Sequence, residues 1–138
     1  MEKILILGGT AQQIKLVEAA KRKGLYTIVV DYLKDSPTKR MADKSYMNDI
    51  HDVDGIVQVC KEEGVKGVIC GYIDPCQRPY QKICSQFNVP CYGSEEQFYL
   101  MTDKHAFKKM CIENGVGTIK EYQENDHDIE FPVFVKPV

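Results

Sequence analysis

The chain has 138 residues, of which 43% are hydrophobic and 28% charged, and its net charge is −2. That is enough for one ordinary domain with its own core, and it excludes a fibrous or disordered polypeptide. The 18 basic residues are interleaved with 20 acidic ones, so no polyanion-binding surface is expected and nucleic acid is not a partner.

The apolar run Ile4-Leu5-Ile6-Leu7 is far too short for a signal peptide or a membrane span, and no other segment comes close. A cytoplasmic protein without a membrane partner is expected. Six cysteines stand at 60, 70, 76, 84, 91 and 111, with no C-x-x-C pair and no tight Cys/His cluster. Reduced thiols and no metal centre are expected, with Cys70 and Cys91 in the core.

Ile4 to Leu7 reads as a continuous apolar strand ending in Gly8-Gly9-Thr10. Helical spacing follows over 11–23, with Leu16, Val17 and Ala20 on one face and Gly24 as the stop. Tyr26 to Val30 is a second strand, closed by Asp31, and the polar stretch 34–44 reads as a loop. Ser45 to Met47 is a short strand candidate, and Val53 to Glu63 a helix closed by Gly64.

Val68 to Cys70 is the next strand, and Gln77 to Phe87 a helix with Tyr80, Ile83, Cys84 and Phe87 facing inward and Pro79 in its first turn. Pro90 to Gly93 reads as a short strand and turn. Strands alternating with helices at this spacing predict an α/β fold: a Rossmann-like open parallel sheet with helices on both faces, over residues 1–93.

The pattern changes after Gly93. Ser94-Glu95-Glu96-Gln97 is a capping box. Thr102 or Asp103 caps a further helix with Ala106, Phe107, Met110 and Cys111 inward, stopped by Gly115. Ile119 to Tyr122 is a strand candidate, 123–130 a polar loop, and Phe131 to Lys136 a final buried strand. Residues 94–138 are therefore assigned to the start of a second domain, the boundary falling between 93 and 102.

Five places carry candidate chemistry. Gly8-Gly9-Thr10 joins a strand to a helix, where free backbone N–H groups favour an anion. The dinucleotide fingerprint G-x-G-x-x-G is only partly met, because its second and third glycines are missing. Asp31, at the end of the second strand, stands where an NAD enzyme holds ribose. Asp74 lies beyond another strand end, either as a ligand group or as a helix N-cap before Pro75. Lys104 sits in the first turn of a helix, where the dipole disfavours a cation. Lys136 lies in an apolar strand, where a buried ammonium needs a counter-charge or reaches solvent over its stem.

Met101-Thr102-Asp103-Lys104, then Glu113-Asn114-Gly115-Val116, then Phe131-Pro132-Val133-Phe134-Val135-Lys136-Pro137 together resemble the ATP-grasp superfamily of ligases. The order of the three motifs fits, as does the 32-residue offset between the two lysines. Residues 1–93 resemble the α/β domain that precedes the ATP-grasp domain in carbamoyl-phosphate synthase large chains, amino-acid ligases and purine-pathway carboxylases. Carbamoyl-phosphate synthases usually carry arginine at the two lysine positions, so the resemblance favours a more general ligase.

The resemblance implies that Lys104 and Lys136 contact ATP phosphates. It implies that Gly8, Gly9 and Thr10, with Asp31 and Asp74 as further candidates, face an acceptor substrate. It also implies a small-molecule carboxylate and amine as partners, Mg²⁺ as a second cofactor, and a possible homodimer. The family's glycine-rich phosphate loop and acidic metal ligands lie beyond Val138. The chain is therefore expected to hold neither catalytic nor metal-binding residues, and to be an N-terminal fragment that is inactive alone. The alternatives are a non-catalytic nucleotide- or metabolite-binding module, or a fragment of an NAD(P)-dependent oxidoreductase.

Overall fold

The computed structural model describes residues 1–123 and 125–135. They form two compact units, one spanning Met1–Phe98 and the other beginning at Tyr99. Four strands, β1 (Lys3–Leu7), β2 (Tyr26–Val30), β3 (Lys44–Tyr46) and β4 (Gly67–Cys70), build one sheet in the order β3-β2-β1-β4. All three pairings are parallel, as the alternation of strand and helix predicts.

Register explains the layering. Leu5 pairs with Ile28 and Val68, and Leu7 with Val30 and Cys70; these residues share one face. That face packs on α3 (Val53–Glu63) through Ile56 and Cys60, and on α4 (Asp74–Phe87) through Tyr80, Ile83 and Cys84. Ile6, Val29 and Ile69 point the other way, onto Leu16 and Val17 of α1 (Ile14–Arg22) and Met41 of α2 (Pro37–Met41). Each fully buried Leu, Ile or Val contributes about 1.5–3 kcal/mol.

The helix stops read from glycine are present: Gly24, Gly64 and Gly115 all adopt positive φ. The segment read as a loop over 34–44 instead contains α2 and the start of β3. Five residues are too few for a periodic signal, but Ser36-Pro37 is a helix-start pair with proline at the first position. Helix α4 starts three residues earlier than its apolar spacing suggests. Ile73 is its N-cap, so Asp74 occupies the first helical position rather than the cap, and Pro79 lies inside the helix rather than in its first turn. Residues 90–93 form no strand. Tyr92 instead stacks on Tyr80 at 4.6 Å between ring centroids, and Phe98 meets both rings edge-on.

The capping box at Ser94 is reciprocal: the Gln97 N–H donates to Ser94 Oγ at 3.2 Å, and the Ser94 N–H to Gln97 Oε1 at 2.8 Å. It opens α5 (Glu95–Thr102). Asp103 caps α6 (Lys104–Glu113), accepting the Ala106 N–H at 2.8 Å. No residue of α6 is fully buried; Ala106, Met110 and Cys111 are half-buried and Phe107 is exposed. Neither 119–122 nor 131–135 forms a strand, because no strand among the described residues pairs with them. Phe131, Phe134 and Val135 are exposed, contrary to the expectation of a buried strand.

Candidate functional site: the carboxyl edge of the sheet

The chain runs outward from β1 to β2 and β3, then returns to place β4 on the other side of β1. That reversal makes the carboxyl ends of β1 and β4 a topological switch point, the place where open parallel sheets bind ligands. Two turns flank it: Gly8 to Thr10 after β1, and Gly71 to Ile73 after β4.

Gln13 ties these turns together. It is buried, its Nε2 donates to the Leu7 carbonyl at 2.7 Å, and its Oε1 lies where a Cβ on Gly71 would stand. Gly8 needs its φ of +91° to leave the strand, and Cys76 Sγ fills the space beside it. The second turn is braced by Gln77, whose Nε2 donates to the Gly71 carbonyl. The Tyr92 hydroxyl holds the end of β4, donating to the Cys70 carbonyl at 3.1 Å, and lies 2.9 Å from Gln77 Oε1. Asp74 opens α4 at this edge with its side chain exposed.

Asp31 is used internally. Its Oδ2 accepts the Gly9 N–H at 2.7 Å, its Oδ1 accepts the Leu33 N–H at 2.8 Å, and the residue is buried. It fixes the glycine turn against the end of β2 rather than standing open to a ribose. Gly9 is packed so closely that a Cβ would lie 2.2 Å from Ser36 Oγ and 2.9 Å from Asp31 Cβ. Among the described residues, Ser36 Oγ is buried without a hydrogen-bond partner.

Lys39, one turn further along α2, is 8% exposed. Its ammonium donates to the carbonyls of Asp31, at 2.9 Å, and Leu33. The side chains of Gln13, Ser36, Lys39 and Gln77 were not legible as parts of this edge. Only the Ser36-Pro37 pair carried a local signal; Lys39 sits in a polar run where a lysine is ordinary.

The second unit presents Lys104 at the first position of α6, exposed and directly after its cap. Lys136 lies outside the described residues. A groove of about 470 Å³ lined by Lys108, Ile112, Thr118 and Glu121 belongs to this unit, and one of about 430 Å³ lined by Asp52, Gln81 and Ser85 to the first. Neither is lined by Lys104 or by the glycine turn.

Among the described residues, no group of three His, Cys, Asp or Glu is placed to hold a metal ion. Cys60, Cys70, Cys76 and Cys84 are buried free thiols, and Cys91 is half-buried. Burial pushes the Cys60 thiol up to about 11 and the Cys84 thiol up to about 12. A hydrogen bond between the Cys70 and Cys76 thiols raises the first and lowers the second.

This fold is the one that opens ATP-grasp ligases, which are its structural neighbours. Within that class, the chain belongs to the PylC-like, N-terminal domain family, whose pattern matches residues 4–87. A formate-dependent phosphoribosylglycinamide formyltransferase of Francisella tularensis subsp. tularensis (strain WY96-3418) is 24% identical over 99% of this chain and 37% of its own length. Phosphoribosylglycinamide synthetase from Anaerococcus prevotii superposes with a TM-score of 0.70 at 28% identity, over 85% of this chain and 30% of that one. The biotin carboxylase domain dimer of Hydrogenobacter thermophilus 2-oxoglutarate carboxylase, in complex with MgADP, ADP and bicarbonate, superposes with a TM-score of 0.65. It is 23% identical over 86% of this chain and 28% of that one, a likeness of fold. The chain thus spans about a third of the length of these relatives. No helix among the described residues is long and apolar enough to cross a membrane.

Proposed function

We propose that this chain is the N-terminal portion of an ATP-dependent ligase that joins a small carboxylate to an amine or related acceptor. The observation that carries the reading is the family match over 4–87, together with a sheet whose topological switch point lies beside β1. In this reaction a carboxylate oxygen attacks the γ-phosphorus of ATP and ADP leaves. The amine then attacks the acyl phosphate, loses a proton and expels inorganic phosphate.

In this reading residues 1–93 form the pre-ATP-grasp domain and 94–138 begin the ATP-grasp domain. The turn Gly8-Gly9-Thr10, braced by Asp31, holds the acceptor, with exposed Asp74 at the start of α4 as a further contact. Lys104 and Lys136 neutralise phosphate charge, and a point cation at an exposed helix start suits a mobile polyphosphate. Mg²⁺ would accompany the nucleotide and withdraw charge from its phosphates. The residues described here do not form a site for it, and no step is assigned to it. The parent protein is cytoplasmic and homodimeric in this reading, as suits a soluble ligase.

Titration of the ¹⁵N-labelled chain with ADP tests the nucleotide assignment. Shifts are expected at Lys104 and its α6 neighbours, with affinity falling about tenfold in Lys104→Met, the loss of one charge-assisted contact. Shifts that spare α6 and are unchanged in the variant would overturn the assignment. Ligase turnover by the 138-residue chain alone would overturn its reading as a partial enzyme.

A further inference from the structure

Five of the six cysteines lie in the first unit, and all five belong to the core packed on one sheet face. Cys60, Cys70, Cys76 and Cys84 are buried, whereas Cys91 is half-buried at the margin of that core. None of them has a part in the ligase reading.

The end of α4 brings two of these thiols together. Asn88, in the left-handed conformation with φ 56°, stops the helix. Its N–H returns to the Ser85 carbonyl, and the Val89 N–H to the Cys84 carbonyl. The chain therefore doubles back over the helix it has left. Cys91 packs on the cluster that contains Cys84, and Tyr92 beside it stacks on Tyr80. The Cys84 and Cys91 thiols are hydrogen-bonded to one another, and the Tyr80 hydroxyl reaches both sulfurs.

Exposure gives the two sulfurs different roles. Cys84 is 0% exposed, and burial keeps its proton in place. Cys91 reaches the surface, so a dissolved oxidant meets it first. The hydrogen-bonded pair Cys70 and Cys76 differs, because both of its members are buried. An accessible thiol touching a second one is the arrangement in which an oxidised sulfur is resolved within the chain.

We propose that Cys91 and Cys84 form a peroxide-responsive pair, in which Cys91 is oxidised and Cys84 resolves it to a disulfide that fastens residues 88–91 to α4. In the first step the Cys91 sulfur attacks an oxygen of hydrogen peroxide. The S–O bond forms, the O–O bond breaks, and the thiol proton leaves in a water molecule. In the second step the Cys84 sulfur attacks the sulfur of the Cys91 sulfenic acid. The S–S bond forms, the S–O bond breaks, and the Cys84 proton leaves with the hydroxyl as water. The thiols are oxidised to a disulfide, and the peroxide is reduced to water.

The test treats the folded 138-residue chain with hydrogen peroxide, alkylates it with iodoacetamide and maps it after trypsin. Cleavage after Lys82 and Lys104 places Cys84 and Cys91 on one peptide, with Cys70 and Cys76 on an earlier one. The 83–104 peptide is expected to escape alkylation and to weigh about 2 Da less than its reduced form, the loss of two hydrogens. Dithiothreitol should restore its alkylation. Cys111 is also half-buried but is the single cysteine of the second unit, and it should form no disulfide within the chain.

In Cys84→Ala the Cys91 sulfenic acid should persist and be captured by dimedone. Cys91→Ser should leave Cys84 reduced at the same dose of peroxide. The oxidised parent should melt several degrees higher, because the ring restricts the unfolded chain while the fold already holds the sulfurs in contact. A lower Tm would mean that pairing drags the backbone out of place, and it would overturn the proposal. Unchanged alkylation of Cys91 after peroxide, pairing of Cys70 with Cys76 instead, or a disulfide that forms only in urea would each do the same. Dimers linked through Cys91 with Cys84 still reduced would overturn the assignment of Cys84 as its partner.

Discussion

Replacing Gly9 by alanine probes the packing beneath the glycine turn. The added Cβ would sit 2.2 Å from Ser36 Oγ, 2.9 Å from Asp31 Cβ and 3.0 Å from Asp31 Cγ. The first contact is about 1 Å inside van der Waals range, and Asp31 is pinned by its bonds to the Gly9 and Leu33 N–H groups. Overpacking of this kind costs about 1–3 kcal/mol, and the upper half of that range is expected. Ser36→Ala acts in the opposite direction. It removes a buried hydroxyl that has no partner, and such a group costs roughly 1 kcal/mol or more when left unmet. The single variant is therefore expected to be as stable as the parent or about 1 kcal/mol more so.

The double variant separates these effects. Ser36→Ala deletes the atom responsible for the 2.2 Å contact and leaves the two Asp31 contacts. The cost of Gly9→Ala should fall by about 1–1.5 kcal/mol in that background, a coupling well above the roughly 0.5 kcal/mol scatter of additive pairs. Urea unfolding of the four proteins, followed by far-UV circular dichroism, gives all the terms. Additivity within 0.5 kcal/mol would mean that Ser36 turns away freely and that the turn is not held as described. Destabilisation by Ser36→Ala alone would mean that the hydroxyl has a partner.

Two further outcomes concern pH and thiol chemistry. Asp43 is held at about 2, chiefly by the Lys21 ammonium and by the Thr27 N–H and hydroxyl; Glu63 is also held at about 2, chiefly by Lys3, Lys44 and the Tyr46 hydroxyl. Both are depressed, so their stabilisation is complete above the unfolded values of 3.8 and 4.5 and is lost as pH falls toward 2. The urea midpoint should drop between pH 5 and pH 2.5, and Asp43→Asn with Glu63→Gln should flatten that fall; a midpoint independent of pH in the parent would contradict both clusters. With iodoacetamide at pH 8, half-buried Cys91 and Cys111 should react before buried Cys60 and Cys84, whose thiols burial holds near 11 and 12. Mass mapping that finds Cys60 or Cys84 alkylated first would refute the packing of that face.

What the sequence made legible follows from the range of each interaction. Strands β1, β2 and β4 are apolar runs bounded by turn residues, and α1, α3 and their glycine stops are local patterns, so each was readable within a few residues. The reciprocal cap at Ser94 and Gln97 is equally local. The expected strands at 90–93 and 131–136 failed, in the parts described, for a non-local reason. Apolar composition marks a segment that suits a sheet, but a strand exists only where a partner ladder is present. The glycine turn was legible as a strand-to-helix junction. Its supports were not, because Ser36, Lys39 and Gln13 reach it by tertiary packing from positions with no pattern of their own. Asp31 was legible as a residue at the carboxyl edge, but its role reversed: the carboxylate that resembled a ribose ligand spends its oxygens on the backbone.

The two ends of the sheet are built on opposite terms. At the amino end, Lys3 and Lys44, the first residues of β1 and β3, both donate to Glu63 at the last position of α3. That carboxylate also accepts the Tyr46 hydroxyl, so the cluster is closed on itself and has nothing left to offer a ligand. At the carboxyl end, among the described residues, a buried hydroxyl has no hydrogen-bond partner and a buried ammonium rests on carbonyls. Leaving polar groups unmet costs stability, and a fold that serves only itself has no physical reason to concentrate that cost at one edge. Substitutions in the Glu63 cluster should therefore lower stability. Ser36→Ala should do the reverse and gain stability. Opposite signs in the two urea midpoints are what separate an edge that is closed on itself from one that carries an unmet polar group.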